Sequence, residues 1–128
     1  MSKYRIDTFS EWWCKVMEST LHDLKLDMRL LVDNLILRIE SIVQLLHNNE
    51  GSESHVRLAY LAEDITVLIQ SAQLFRDTHI QFDLGELNEK LGMIIEQMEM
   101  KDQLFLADLL IFELKPLFEY WSEQLQDA

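Results

Sequence analysis

The sequence predicts an all-α protein: a four- to five-helix up-down bundle with a long or broken N-terminal helix. Three observations carry this expectation. The 128 residues include only three Gly and one Pro, too few for the many turns of an all-β fold. Apolar residues recur at three- and four-residue steps along most of the chain, the spacing of helices that turn one face inward. Oxygen-bearing side chains stand where helix starts need them. The 48% hydrophobic content supplies a core, and the length fits one domain, residues 1–128, with residues 1–20 as a candidate separate docking segment.

Thr8-Phe9-Ser10-Glu11 has the form of a capping box, with a hydroxyl for the third amide and a Glu reaching back. Phe9, Trp12, Trp13, Val16, Met17, Leu21 and Leu24 follow at helical spacing, and Met28, Leu31, Leu35, Ile39, Ile42 and Leu46 continue the stripe. No Gly or Pro interrupts residues 8–47, so one helix about 60 Å long is open to this segment. A break near Ser19-Thr20 is expected instead, because a compact domain of this size is only about 30–40 Å across.

Residues 47–54 form a polar loop in which Gly51 is expected to end the first helix and Ser52 or Ser54 to start the second. That second helix runs to about residue 77, with Leu58, Leu61, Ala62, Ile65, Leu68, Ile69, Ala72 and Phe75 on one face. Asp83 and Asp102 are the expected caps of helices near 84–100 and 103–125. Short connections make neighbours antiparallel. Pro116 removes an amide donor and frees the Phe112 carbonyl, so a kink is expected there. A helical wheel of 103–125 is apolar over more than half its circumference, with a polar strip on Asp108, Lys115, Glu119 and Ser122. Such a helix is central to the bundle or covered by another chain.

Charge and composition then exclude function classes. Twenty-three Asp+Glu against eleven Lys+Arg leave −12, a poor match to nucleic acid or an anionic membrane, whose phosphates need clustered cations. MSKYRIDTFSEWW has no apolar run of signal-peptide length behind its basic residues, and no segment reaches the ~18 apolar residues of a span. The lone Cys14 permits no intrachain disulfide, so a reducing cytoplasm is expected. Di-metal bundles need Glu-x-x-His on two helices. Ser19, Gln44, Ser52 and Arg76 stand three residues before His22, His47, His55 and His79, so neither a metal nor another cofactor is expected. No G-x-S-x-G, Gly-rich phosphate loop or Cys/His pair occurs.

Glu113 is the one carboxylate whose spacing places it among core positions; a buried partner such as Tyr120, Arg29, Arg38 or a free amide is expected for it. The expected partner-binding residues are the aromatics at the two ends of the sequence: Phe9, Trp12 and Trp13, then Phe105, Phe112, Phe118 and Trp121. Residues from Asp83 onward carry eleven acids and three lysines, an acidic rim suited to a basic amphipathic helix. Acidity of this kind also serves solubility alone.

Ala107-Asp108-Leu109-Leu110, Glu113-Leu114-Lys115-Pro116-Leu117 and Glu119-Tyr120-Trp121 together resemble the A-D-L-L-x-x-E-L-x-P-L-x-E-x-W segment of small acidic all-helical proteins from Firmicutes without an assigned function. The resemblance spans about residues 83–125 and implies no activity, cofactor or catalytic residue. A looser architectural likeness is to flagellar export chaperones, which bind an apolar helix of their cargo. The expected function is therefore a non-enzymatic interaction module: a homo-oligomer or a helix-binding adaptor for a protein partner. An export-type chaperone is the alternative, and a metal-dependent helical-bundle enzyme using Glu113 and the Glu18/His22 pair is a third reading.

Overall fold

The computed structural model describes the backbone of residues 9–126 and the side chains of residues 20–126. The expectations placed on the side chains of Phe9, Trp12 and Trp13 lie outside the described residues. Helix α1 (Phe9–His47) is followed by α2 (Gly51–Gln73), α3 (Leu84–Met100) and a C-terminal rod. The rod consists of α4 (Gln103–Leu109), a π-helical turn (Leu110–Leu114) and α5 (Lys115–Gln126). Among the described residues there is no strand. The chain is an all-α bundle with a long first helix.

α1 runs unbroken for 39 residues, so the expected break at Ser19-Thr20 does not occur. α1 outruns the breadth of a compact domain because it is not confined to the bundle. Arg38 bonds Asp64, and Arg57 bonds Ser41 at 3.1 Å, which sets α2 antiparallel to α1. Lys115 meets Glu40 at 3.1 Å and Ser122 donates to Asp33 at 2.6 Å, which sets α5 antiparallel on the other side. In these registers the ends of both neighbours come level with about residue 28, and α1 continues past them for on the order of 25 Å.

The turn after α1 is closed by Asn49, not by Gly51. Asn49 takes the left-handed conformation (φ 61°), with the Asn49 N–H on the Leu46 carbonyl and the Glu50 N–H on that of Leu45, a Schellman closure. Gly51 instead opens α2, and Glu50 at its N-cap gives no side-chain hydrogen bond. Ser54, an expected cap, is buried and donates to the Gly51 carbonyl at 2.8 Å. α2 ends at Gln73, four residues short of expectation. Thr78 stops the chain from continuing: its hydroxyl donates to the Phe75 carbonyl at 2.6 Å and accepts from the Ile80 N–H at 3.1 Å. Phe75 and Ile80 thereby turn inward to plug the bundle end.

Asp83 accepts from the Glu86 N–H at 2.9 Å and Asp102 from the Phe105 N–H at 3.0 Å, as their positions predict. Between them Lys101 closes α3 with φ 58°. Ahead of Pro116 the rod takes a π-helical turn. The Lys115 N–H donates to the Leu110 carbonyl five residues back, so one wide turn ends immediately before Pro116, whose ring and missing N–H break the regular ladder. The widened turn also rotates the faces of α5. Lys115 and Ser122, expected in the outer polar strip, turn to α1, and Phe112, Pro116 and Tyr120 face outward.

Around the bundle axis the order is α2, α1, rod, α3. α1 packs on α2 and on the rod, and α3 packs on α4 and the π turn. Phe75, Phe82, Phe118 and Trp121 stack at one end, with ring centroids 4.9–5.9 Å apart from one neighbour to the next.

Candidate functional site

The three packed seams each carry polar cross-links. Arg38–Asp64 and Arg57–Ser41 join α1 to α2. Lys115–Glu40 and Ser122–Asp33 join α1 to the rod. Lys90–Glu113, at 2.7 Å, joins α3 to the π turn. Between α2 and α3, among the described residues, no hydrogen bond or ion pair crosses. That fourth seam is an open groove of about 370 Å3, within the size range of small-ligand and side-chain pockets.

Its walls follow from helical spacing. Leu58, Leu61, Ala62, Ile65 and Ile69 of α2 face Leu91, Ile94, Ile95 and Met98 of α3, over a floor of Leu110 and Leu114 from the π turn. Ala59 and Ala62 at the mouth are too short to close the gap. Thr66 is the only lining residue with a polar side chain, and its hydroxyl donates to the Ala62 carbonyl of its own helix at 3.0 Å. The groove therefore presents methyl and methylene surface with no free side-chain donor and no titratable group. Such a lining can bury apolar surface; it offers nothing to move a proton or hold a metal.

Outside the lining the charge is negative. α2 and α3 together hold seven carboxylates and two cations, Arg57 and Lys90, and both cations are engaged with carboxylates. Glu63, Glu96 and Glu99 are exposed within one helical turn of lining residues. Gly92, on the same flank of α3 as Ile95, has nothing within 4 Å of where a Cβ would stand. The lip there is open.

The sequence-expected residues divide. Phe105 and Phe112 lie on the outer face of the rod, Phe112 with 71% of its surface exposed. Phe118 and Trp121 are in the core, Trp121 only 1% exposed, and show no surface to a partner. Glu113 is half-exposed rather than buried, and its partner is Lys90, not Tyr120, Arg29 or Arg38. Tyr120 accepts from Gln124, Arg29 approaches Asp33 and Arg38 bonds Asp64. The hydrogen bond to Glu113 raises the Lys90 ammonium above its usual 10.5 despite burial, with help from the charges of Glu113 and Glu86. None of the groove residues was singled out in the sequence as a site. Their signal was present, since α2 and α3 each carry an apolar stripe, but neither stripe says which neighbour it lacks.

Among the described residues no three of His, Cys, Asp and Glu converge as metal ligands, and no helix is long and apolar enough to cross a membrane. Fold and site define a class: an acidic all-α bundle with one apolar seam left open. The chain belongs to the DUF8042 family, a domain of unknown function whose model matches residues 23–124. The match begins near the level where α1 meets its neighbours and takes in the whole bundle. No curated protein and no solved structure matches the chain.

Proposed function

We propose that the protein is a non-enzymatic interaction module that takes a basic amphipathic helix of a protein partner into the α2/α3 groove. The observation that carries this reading is the absence of any polar closure across an otherwise apolar seam. A helix entering there would present apolar residues at i, i+3 or i+4, and i+7 to Ile69, Leu91, Ile95 and Met98, the lining residues that keep accessible surface, and basic residues to the flanking carboxylates. From Leu58 to Ile69 the α2 wall is about 17 Å long, room for about three turns. Each fully buried leucine anchor contributes about 1.5–3 kcal/mol gross. Association costs offset part of that, so affinity falls in the micromolar range.

The test is fluorescence anisotropy with a labelled leucine–lysine amphipathic peptide of about three to four turns. Saturable binding is expected, weakening as salt screens the rim. Ala62→Trp, which fills the mouth, and Ile95→Glu, which places a charge on the apolar wall, should each reduce affinity at least about tenfold. Binding that ignores both substitutions would overturn the groove as the site.

A further inference from the structure

A helix suited to the α2/α3 groove is carried by the chain itself. α1 is unbroken from Phe9 to His47 and runs past the ends of α2 and the rod. Met28 and Val32 are buried in the bundle, but Leu24 and Leu21 are only half-buried against the core. The bundle's cover thins towards the N-terminus of α1, while the apolar stripe continues in the sequence through Val16, Trp13 and Phe9.

Residues 9–20 match the groove in length, pattern and charge. As helix they span about 17 Å, the length of the α2 wall from Leu58 to Ile69. At 100° per residue, Phe9, Trp13 and Val16 fall within about 60° of one another, the i, i+4 and i+7 anchors of a groove-bound helix. Glu11, Lys15 and Glu18 fall within about 60° on the opposite side, turned away from a groove whose margins carry Glu63, Glu96 and Glu99. Residues 1–17 hold three cations and two carboxylates, whereas residues 18–128 hold eight and twenty-one. This end therefore approaches an acidic groove without the repulsion that the rest of the chain would meet.

α1 cannot fill the groove of its own chain. The register fixed by Arg38–Asp64 and Arg57–Ser41 sets the α2 wall beside about residues 31–42 of α1. Residues 9–20 lie on the order of 30 Å further along the same unbroken axis. We propose, resting on the groove as a helix-binding site, that residues 9–20 of a second copy of this chain are its occupant. Each copy supplies one seat and one entering helix, so a two-fold exchange fills both grooves and closes the assembly as a dimer. Trp13, the middle of the three apolar positions, is the anchor. Two such contacts per dimer place the dissociation constant in the micromolar range or below.

Sedimentation equilibrium on the full chain tests this. The mass is expected to rise from 15.2 kDa at low concentration towards twice that by about 200 µM. Trp13→Glu on the entering helix and Ile95→Glu on the groove lip should each weaken the dimer at least about tenfold. Neither should move the melting temperature measured at low concentration. An equimolar mixture of the two variants should recover part of the association, because an unaltered Trp13 and an unaltered groove meet in the mixed pair. Phe112→Glu, on the outer face of the rod, should change nothing. A wild-type chain still monomeric at that concentration overturns the exchange. So does a dimer that survives either groove-side or helix-side substitution, a mixture no more associated than its parts, or a dimer that Phe112→Glu dissociates. The leucine–lysine peptide separates the exchange from the groove reading. A peptide that binds the Trp13→Glu chain while the wild type stays monomeric sinks the exchange alone. A dimer lost to both substitutions, from a chain whose Trp13→Glu variant takes no peptide, upholds the exchange and sinks capture of other helices.

Discussion

The seam between α1 and the rod and the seam between α2 and α3 are built from the same kind of residue but end differently. In the first, Val32, Leu35 and Ile39 meet Leu114, Leu117, Phe118 and Trp121, and all seven are buried. Two charged or hydrogen-bonded pairs, Lys115–Glu40 and Ser122–Asp33, then hold the register from the outside. In the second, Ile65 and Ile94 are equally well buried, but the short Ala59 and Ala62 line the mouth. Burial alone therefore does not separate structure from site here. The difference lies in how each seam is finished: large side chains and polar pairs close one, and small residues leave the other unfilled. On the proposed reading, the unfilled seam is the surface that a partner helix would cover.

The largest effect should fall on the closed side. Trp121→Ala empties a fully enclosed volume against Phe82 and Phe118 and should cost about 3–5 kcal/mol by urea denaturation. A loss below about 1 kcal/mol would mean that the two seams do not differ in the way described.

The ion pair from α3 to the π turn should matter less, because Glu113 is half-exposed while only 15% of the Lys90 side chain is accessible. Lys90→Met is expected to cost on the order of 1 kcal/mol at neutral pH. The pair also dictates an alkaline limb. Lys90 titrates above 10.5 in the folded chain, so its contribution is complete below the unfolded value and fades as pH rises through the folded one. Melting curves of wild type and Lys90→Met should therefore converge above pH 10.5, and a gap that widens there would reverse the assignment.

Smaller gains are expected at two backbone positions in and after α3. Lys101→Gly relieves a left-handed residue at the α3–α4 turn and should stabilise by about 0.5–1 kcal/mol. Gly92→Ala adds a Cβ into open space within a helix and should stabilise by a similar amount, about 0.4–1 kcal/mol. Smallest of all, Ile95→Ala on the groove lip should change stability by less than about 0.5 kcal/mol while still weakening peptide capture. A large loss of stability there would make Ile95 a core residue and the groove a closed seam.

Much of the fold was legible in the sequence because it is locally encoded. Asp83 and Asp102 cap helices through bonds that span three residues, and the apolar stripes of α1, α2 and α3 give the helices themselves. What was not legible depends on distant partners. The unbroken α1 follows from neighbours that end level with residue 28, a fact of register that no local pattern holds. Gly51 reads as a helix terminator by residue type, yet Asn49 takes that role and Gly51 instead allows Gln103 to approach where a Cβ would stand. A wheel drawn at 100° per residue through 103–125 misplaced Lys115 and Ser122 because the π turn holds an extra residue. The same shift carries Phe118 from the edge of the wheel into the core. The groove was invisible for a simpler reason: it lies between two helices far apart in sequence, and neither stripe names the other.

Methyl-resolved NMR of the full chain titrated with the leucine–lysine peptide reports on the groove residue by residue. Resonances of Ile65, Leu91, Ile94, Ile95 and Leu110 should shift together along one binding curve, while those of Ile42 and Leu125, buried elsewhere in the bundle, stay in place. Silent groove methyls, with shifts confined to Leu26, Leu30 and Leu37 or to the outer face of the rod, would contradict capture by the groove.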